Sequence, residues 1–192
     1  LDHKCYVTWF DHHGNGEESI FLKDKNFFPI INTIHDINTS LLVYNFFKEE
    51  KLLIWAIIGL FGDNIESTAQ CYCQHLNLSS EEITVLREIG RLINYNSYGV
   101  SLSDLIVNPI HLIEEIRFFS DPISFYKSSD IIVNLKRSSL EDLELGFSCY
   151  KNNNIVFLPN LPWARRVHGI LANFLANKDK TKPLAVLVDI DE

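Results

Sequence analysis

The sequence predicts an α/β protein in two parts. A parallel-sheet portion with connecting helices covers residues 1–140, and the start of a smaller α+β portion covers residues 141–192. Three observations predict it. Cys5-Tyr6-Val7-Thr8-Trp9-Phe10 is rich in aromatic and β-branched residues, as strands are. Being apolar almost throughout, it fits an interior parallel strand covered on both faces. Helix-start signals then recur as far as about residue 140. After Gly146 the pattern changes: residues 147–150 and 155–158 are short apolar runs flanking Lys151-Asn152-Asn153-Asn154, which reads as a β-hairpin in a separate sheet.

The elements follow in order. Asn38-Thr39-Ser40 can cap a helix running to about residue 50. Residues 52–61 are a buried helix or strand, since periodicity does not separate the two. Gly62-Asp63-Asn64 ends that run, and a helix is expected over 64–76. Ser79-Ser80-Glu81-Glu82 is a capping box that opens a helix to about residue 94. Asn108-Pro109 and Asp121-Pro122 each place Pro at a first helical position. Pro162 opens a helix to about residue 177, and 184–188 reads as a last strand.

At 46% hydrophobic and 22% charged over 192 residues, the chain can bury enough surface to fold without staples. Its net charge is −8, and its densest cationic spot is only Arg165-Arg166. That disfavours a protein gripping long nucleic acid through phosphates, whereas clustered carboxylates suit a divalent cation. Cys5, Cys71, Cys73 and Cys149 are too few and too scattered for a disulfide scaffold, so a cytoplasmic location is expected. The longest apolar run, 52–60, is about half of what crosses a bilayer, and no signal peptide is read. There is no Met at all. That is expected of a piece of a longer protein, or of a sequence written without its methionines.

Asp11-His12-His13 is the informative triplet. It follows a strand and precedes Gly14-Asn15-Gly16, and ligands of open α/β sheets bind beyond the carboxyl ends of strands. Neutral imidazole ligates divalent transition metals, and carboxylate suits Mn²⁺ and Mg²⁺. Neighbouring side chains diverge from an extended strand, so one His should ligate while the other faces a substrate phosphate. An exposed turn that happens to contain His is the weaker reading. Other clusters favour bland readings. Cys71-Tyr72-Cys73-Gln74-His75 lacks zinc spacing and fits successive faces of a helix. His35-Asp36 is a loop pair, and Gly14-Asn15-Gly16-Glu17 is too short for a dinucleotide fingerprint. Tyr95, Tyr98 and His168 read as packing or surface residues. Arg165 and Arg166 open a helix that could receive an anion. Arg166 is the candidate there for substrate contact, against the commoner fate of a surface Arg.

Val7-Thr8-Trp9-Phe10-Asp11-His12-His13 resembles the third motif of the DHH phosphoesterase family, RecJ-like members included. Gly59-Leu60-Phe61-Gly62-Asp63-Asn64 resembles its fourth motif, and residues 163–173 resemble a helix of the DHH-associated C-terminal domain. The likeness runs from the third motif into that associated domain. It implies a metal-dependent phosphoesterase that hydrolyses phosphodiester or phosphomonoester bonds of nucleotides or short oligonucleotides with two Mn²⁺ ions, Mg²⁺ being the substitute. His12 and Asp63 would ligate one metal, so their ligand atoms should converge. Asp2 is the candidate for the bridging acid of the second motif. His13 would face the scissile phosphate, and Asp11 would hold an imidazole or the loop. A homodimer is compatible with this reading. The family's first motif is not found here, so this stretch alone is expected to show little activity. The alternative is a catalytically degenerate DHH protein that binds a nucleotide or partner without hydrolysis.

Overall fold

The computed structural model describes residues 5–14, 25–151, 154–179 and 181–189. It is a mixed α/β structure that divides into two compact units, Leu1–Gly90 and Arg91–Glu192. The division expected at 140/141 lies within one continuous helix, Asp130–Cys149.

In the first unit, strand β1 (Val7–Asp11) pairs parallel with β2 (Phe27–Ile31), with Val7 opposite Phe27 and Asp11 opposite Ile31. Helices α1 (Thr39–Phe47) and α2 (Glu50–Gly62) follow, then α3 (Glu66–His75) and α4 (Ser80–Tyr95), the last of which continues past the division at Gly90. Phe10 packs edge-on against Phe46 of α1, with ring centroids 5.4 Å apart, and so seats that helix on the sheet. The ambiguous apolar run is helical. Leu53, Ala56, Ile57, Ile58, Leu60 and Phe61 of α2 are all buried, and a helix apolar around most of its circumference forms the centre of this unit's core. Asn64, at φ 60°, turns the chain out of α2 in a left-handed conformation that Asn tolerates. The capping box forms as read: Glu82 accepts from the Ser79 backbone N–H at 2.8 Å, and the Ser79 hydroxyl accepts from the Glu82 N–H at 3.2 Å.

The expectation of an interior strand is not met among the described residues. There β1 pairs with β2 alone, and Trp9 is 48% exposed. An apolar strand records what the strand is able to bury, whereas its cover is set by segments elsewhere in the chain.

In the second unit, α5 (Pro109–Arg117) and α6 (Pro122–Ser128) begin at their Asn-Pro and Asp-Pro signals, with Asn108 and Asp121 capping. Helix α7 (Asp130–Cys149) leads to strand β3 (Ile155–Leu158), α8 (Pro162–Lys178) and strand β4 (Ala185–Val188). The predicted hairpin is not formed among the described residues, and its turn residues Asn152 and Asn153 lie outside them. Residues 147–149 complete α7, and β3 pairs parallel with β4 across α8, Ile155 opposite Ala185. This is a βαβ unit and not the start of an antiparallel α+β arrangement. The reason is tertiary: Phe147 meets Phe174 of α8 at 5.0 Å, which rewards the helical continuation, and so short an apolar run has no period of its own. Val156, Leu158, Ala164, Leu171 and Leu175 form the core of this βαβ layer.

The first turn of α8 is pinned to the short helical turn Leu102–Asp104 by Arg165, whose Nε and Nη2 each donate at 2.9 Å to the Asp104 carboxylate. Arg165, followed by the Val100 N–H, lowers the Asp104 carboxyl from the usual value to about 2. A depressed acid stabilises the fold above its ordinary pKa of about 4 and loses that contribution as pH falls through about 2. Asp104→Asn is therefore expected to lower the urea midpoint at neutral pH and to flatten its decline between about pH 4 and pH 2. Circular dichroism at stepped pH reads both effects, and parallel declines in the two proteins would refute the assignment.

No helix among the described residues is long and apolar enough to cross a membrane.

Candidate metal centre

Strand β1 ends on Asp11, so His12 and His13 leave the carboxyl end of a parallel strand. Asp11 Oδ1 accepts the His13 backbone N–H at 3.0 Å and meets His13 Nδ1 at 2.9 Å. The His13 backbone N–H chiefly, with its imidazole, the Trp9 indole and the His12 N–H, holds the Asp11 carboxyl below the usual range, against an opposing push from partial burial. Asp11 is thus an anion that orients His13. The His12 and His13 rings lie 4.0 Å apart, centroid to centroid. His12 is half-buried, and its Nδ1 meets Thr39 Oγ1 at 2.8 Å. Both imidazoles therefore have Nδ1 engaged, and among the described residues Nε2 is the nitrogen each has left to offer. Ligand-type atoms from Asp11, His12 and His13 lie within 4.8 Å of one another. The His13 side chain is 74% exposed and faces solvent.

Asp63, the residue that ends α2, is not part of this group of three. It is tied to the same helix end by a neighbouring residue: its Oδ2 accepts from Asn38 Nδ2 at 3.0 Å. Asn38 is 2% exposed and caps α1, its Oδ1 accepting the Leu41 N–H at 3.0 Å. Consecutive residues at the start of α1 thus hold His12 and Asp63. The helix end can come this close because α2 carries Gly59 opposite it. A Cβ there would stand 2.1 Å from Ser40 Oγ and 2.8 Å from Asn38 Nδ2.

Asp2 lies outside the described residues, as do Asn15 and Gly16 of the loop beyond Gly14. Arg166 belongs to the second unit and is buried there. Its guanidinium donates to Asp142 at 2.8 Å, to the Tyr95 hydroxyl at 3.0 Å and to the Asp104 carbonyl. These partners are all internal to the protein. Cys71 is exposed and Cys73 buried on α3, as successive faces of a helix require. His35 and Asp36 form an exposed pair 3.2 Å apart.

Sequence reasoning singled out the triplet and Asp63 but read Asn38-Thr39-Ser40 only as a helix cap. It gave Gly59 no role of its own. The available signal was the glycine, since Gly inside an otherwise apolar helix costs stability and marks a close approach. Compared with family models, curated proteins and solved structures, the chain matches none.

Proposed function

We propose that this chain is part of a Mn²⁺-dependent phosphoesterase that hydrolyses phosphodiester or phosphomonoester bonds of nucleotides or short oligonucleotides, as its resemblance to the DHH family implies. The observation that carries the reading is the gathering of Asp11, His12 and His13 ligand atoms within 4.8 Å at the carboxyl end of a parallel strand. The donor set fits a divalent ion. Imidazole nitrogen and carboxylate oxygen both suit Mn²⁺, and in this reading His12 supplies the imidazole ligand while Asp11 and His13 stand beside the ion. When bound, such ions supply charge neutralisation at phosphoryl oxygens and an activated water. The chain's own residues do the rest. Half-buried His12 offers Nε2 from a restrained ring, Asp11 sets the direction of His13, and solvent-facing His13 meets the substrate phosphate. Asp63 waits at the end of α2 on the same helix cap. The net charge of −8 favours small substrates over long nucleic acid.

Mn²⁺ binding is measured on the 192-residue chain by paramagnetic resonance of the free ion, and turnover of a dinucleotide is measured on the complete protein. His12→Ala is expected to weaken Mn²⁺ binding at least about tenfold and to abolish turnover. His13→Ala should lower turnover with Mn²⁺ binding largely kept. Undiminished hydrolysis by the His12 variant overturns the reading. Mn²⁺ binding by a complete protein that turns nothing over replaces hydrolysis with nucleotide or partner binding.

A further inference from the structure

We infer that Thr39 and Asn38 are positioning residues of the metal centre: Thr39 selects the tautomer of His12, and Asn38 aims the carboxylate of Asp63. The inference rests on the metal reading above, and neither residue is a ligand in it. An imidazole presents a lone pair at one ring nitrogen only if its proton sits on the other, and the partner of that other nitrogen decides which. In this chain the partner of His12 Nδ1 is Thr39 Oγ1, at 2.8 Å and 27 positions away. A hydroxyl can donate to Nδ1 or accept from Nδ1–H; in the inferred arrangement it accepts, which leaves Nε2 bare. His13 is treated alike by Asp11 on its Nδ1 at 2.9 Å, so both rings are held at the same nitrogen.

Asn38 divides its amide. Oδ1 accepts from the Leu41 N–H at 3.0 Å and from the Ser40 hydroxyl at 3.1 Å, while Nδ2 donates to Asp63 Oδ2 at 3.0 Å. A flipped amide would set its NH₂ against the Leu41 N–H, so the capping bond itself fixes the donor toward Asp63. At 2% exposure this orienting bond is shielded from competing water. Two ligand candidates distant in sequence are thereby set by adjacent residues of one helix start.

A residue that only caps a helix behaves differently on substitution. Asp and Ser cap as well as Asn does, yet Asn38→Asp turns an acceptor toward the Asp63 carboxylate and Asn38→Ser offers no amide donor. Thr39→Val keeps the branched shape without the hydroxyl, and Thr39→Ser restores the hydroxyl. The first measurement is the ¹⁵N chemical shifts of the His12 ring in metal-free protein. The second is Mn²⁺ affinity, and helicity checks folding. The unaltered chain and Thr39→Ser should show Nδ1 protonated, and Thr39→Val should show a mixture with about tenfold weaker Mn²⁺ binding. Both Asn38 variants should keep their helicity and bind Mn²⁺ about tenfold more weakly. An Nε2-protonated His12 in the unaltered chain, or a tautomer unmoved in Thr39→Val, overturns the role of Thr39. Unchanged affinity in Asn38→Asp and Asn38→Ser overturns that of Asn38. Failure of the unaltered chain to bind Mn²⁺ counts against the metal reading and takes the Asn38 role with it, while the metal-free tautomer still decides Thr39.

Discussion

Arg166→Met is expected to lower the stability of the second unit by about 3–5 kcal/mol, the cost of leaving one member of a buried ion pair alone. Asp142 is 6% exposed and loses the Arg166 contact at 2.7 Å, keeping the Tyr95 hydroxyl as its one partner among the described residues. Tyr95 cannot neutralise it, because burial first, and then the carboxylate beside it, push the phenol's pKa up and keep its proton in place. The effect is electrostatic and not a matter of volume, so Asp142→Leu added to Arg166→Met should recover most of the loss. Urea unfolding followed through Trp163, which packs on this unit's core, measures both proteins. A loss below about 1 kcal/mol in the single variant would show that water reaches the carboxylate.

Gly90→Ala is expected to be the next most damaging change, and more damaging than Gly59→Ala. A Cβ on Gly90 would stand 2.2 Å from the Ile58 carbonyl oxygen and 2.8 Å from the Gly62 nitrogen. Both are backbone atoms of α2, so relief requires moving a helix. Overpacking of this kind costs about 1–3 kcal/mol, more than the roughly 1 kcal/mol that Ala gains over Gly in a helix. Gly59→Ala meets Ser40 Oγ and Asn38 Nδ2, the tips of side chains that can rotate. Its stability cost should be about 1 kcal/mol, the loss of the Asn38 cap, with weaker Mn²⁺ binding beside it once Asn38 turns away from Asp63. Equal melting temperatures for the two variants would refute the distinction between backbone and side-chain neighbours.

The elements legible in the sequence share a physical character: their causes lie within one turn of the chain. The Ser79–Glu82 box, Asn108-Pro109 and Asp121-Pro122 name helix starts because a side chain there satisfies an N–H two or three residues on. The α/β class was legible in the same way, as was Asp11-His12-His13, three adjacent residues whose donor chemistry needs no partner to be recognised. The hairpin misled because residues 147–150 carry apolar content that either structure could use, and the choice fell to Phe174 on another helix.

By itself, then, the sequence determined the helix starts at Asn38, Ser79, Asn108, Asp121 and Pro162, the apolar character of residues 52–61, and the donor chemistry of Asp11, His12 and His13. Only the tertiary structure decided that β3 runs parallel to β4, that Arg166 is buried against Asp142 and Tyr95, and that Thr39 and Asn38 reach His12 and Asp63. Those pairings join residues 24 to 71 positions apart. Their free energy depends on burial and approach, and a local stretch of sequence encodes neither until the elements have packed.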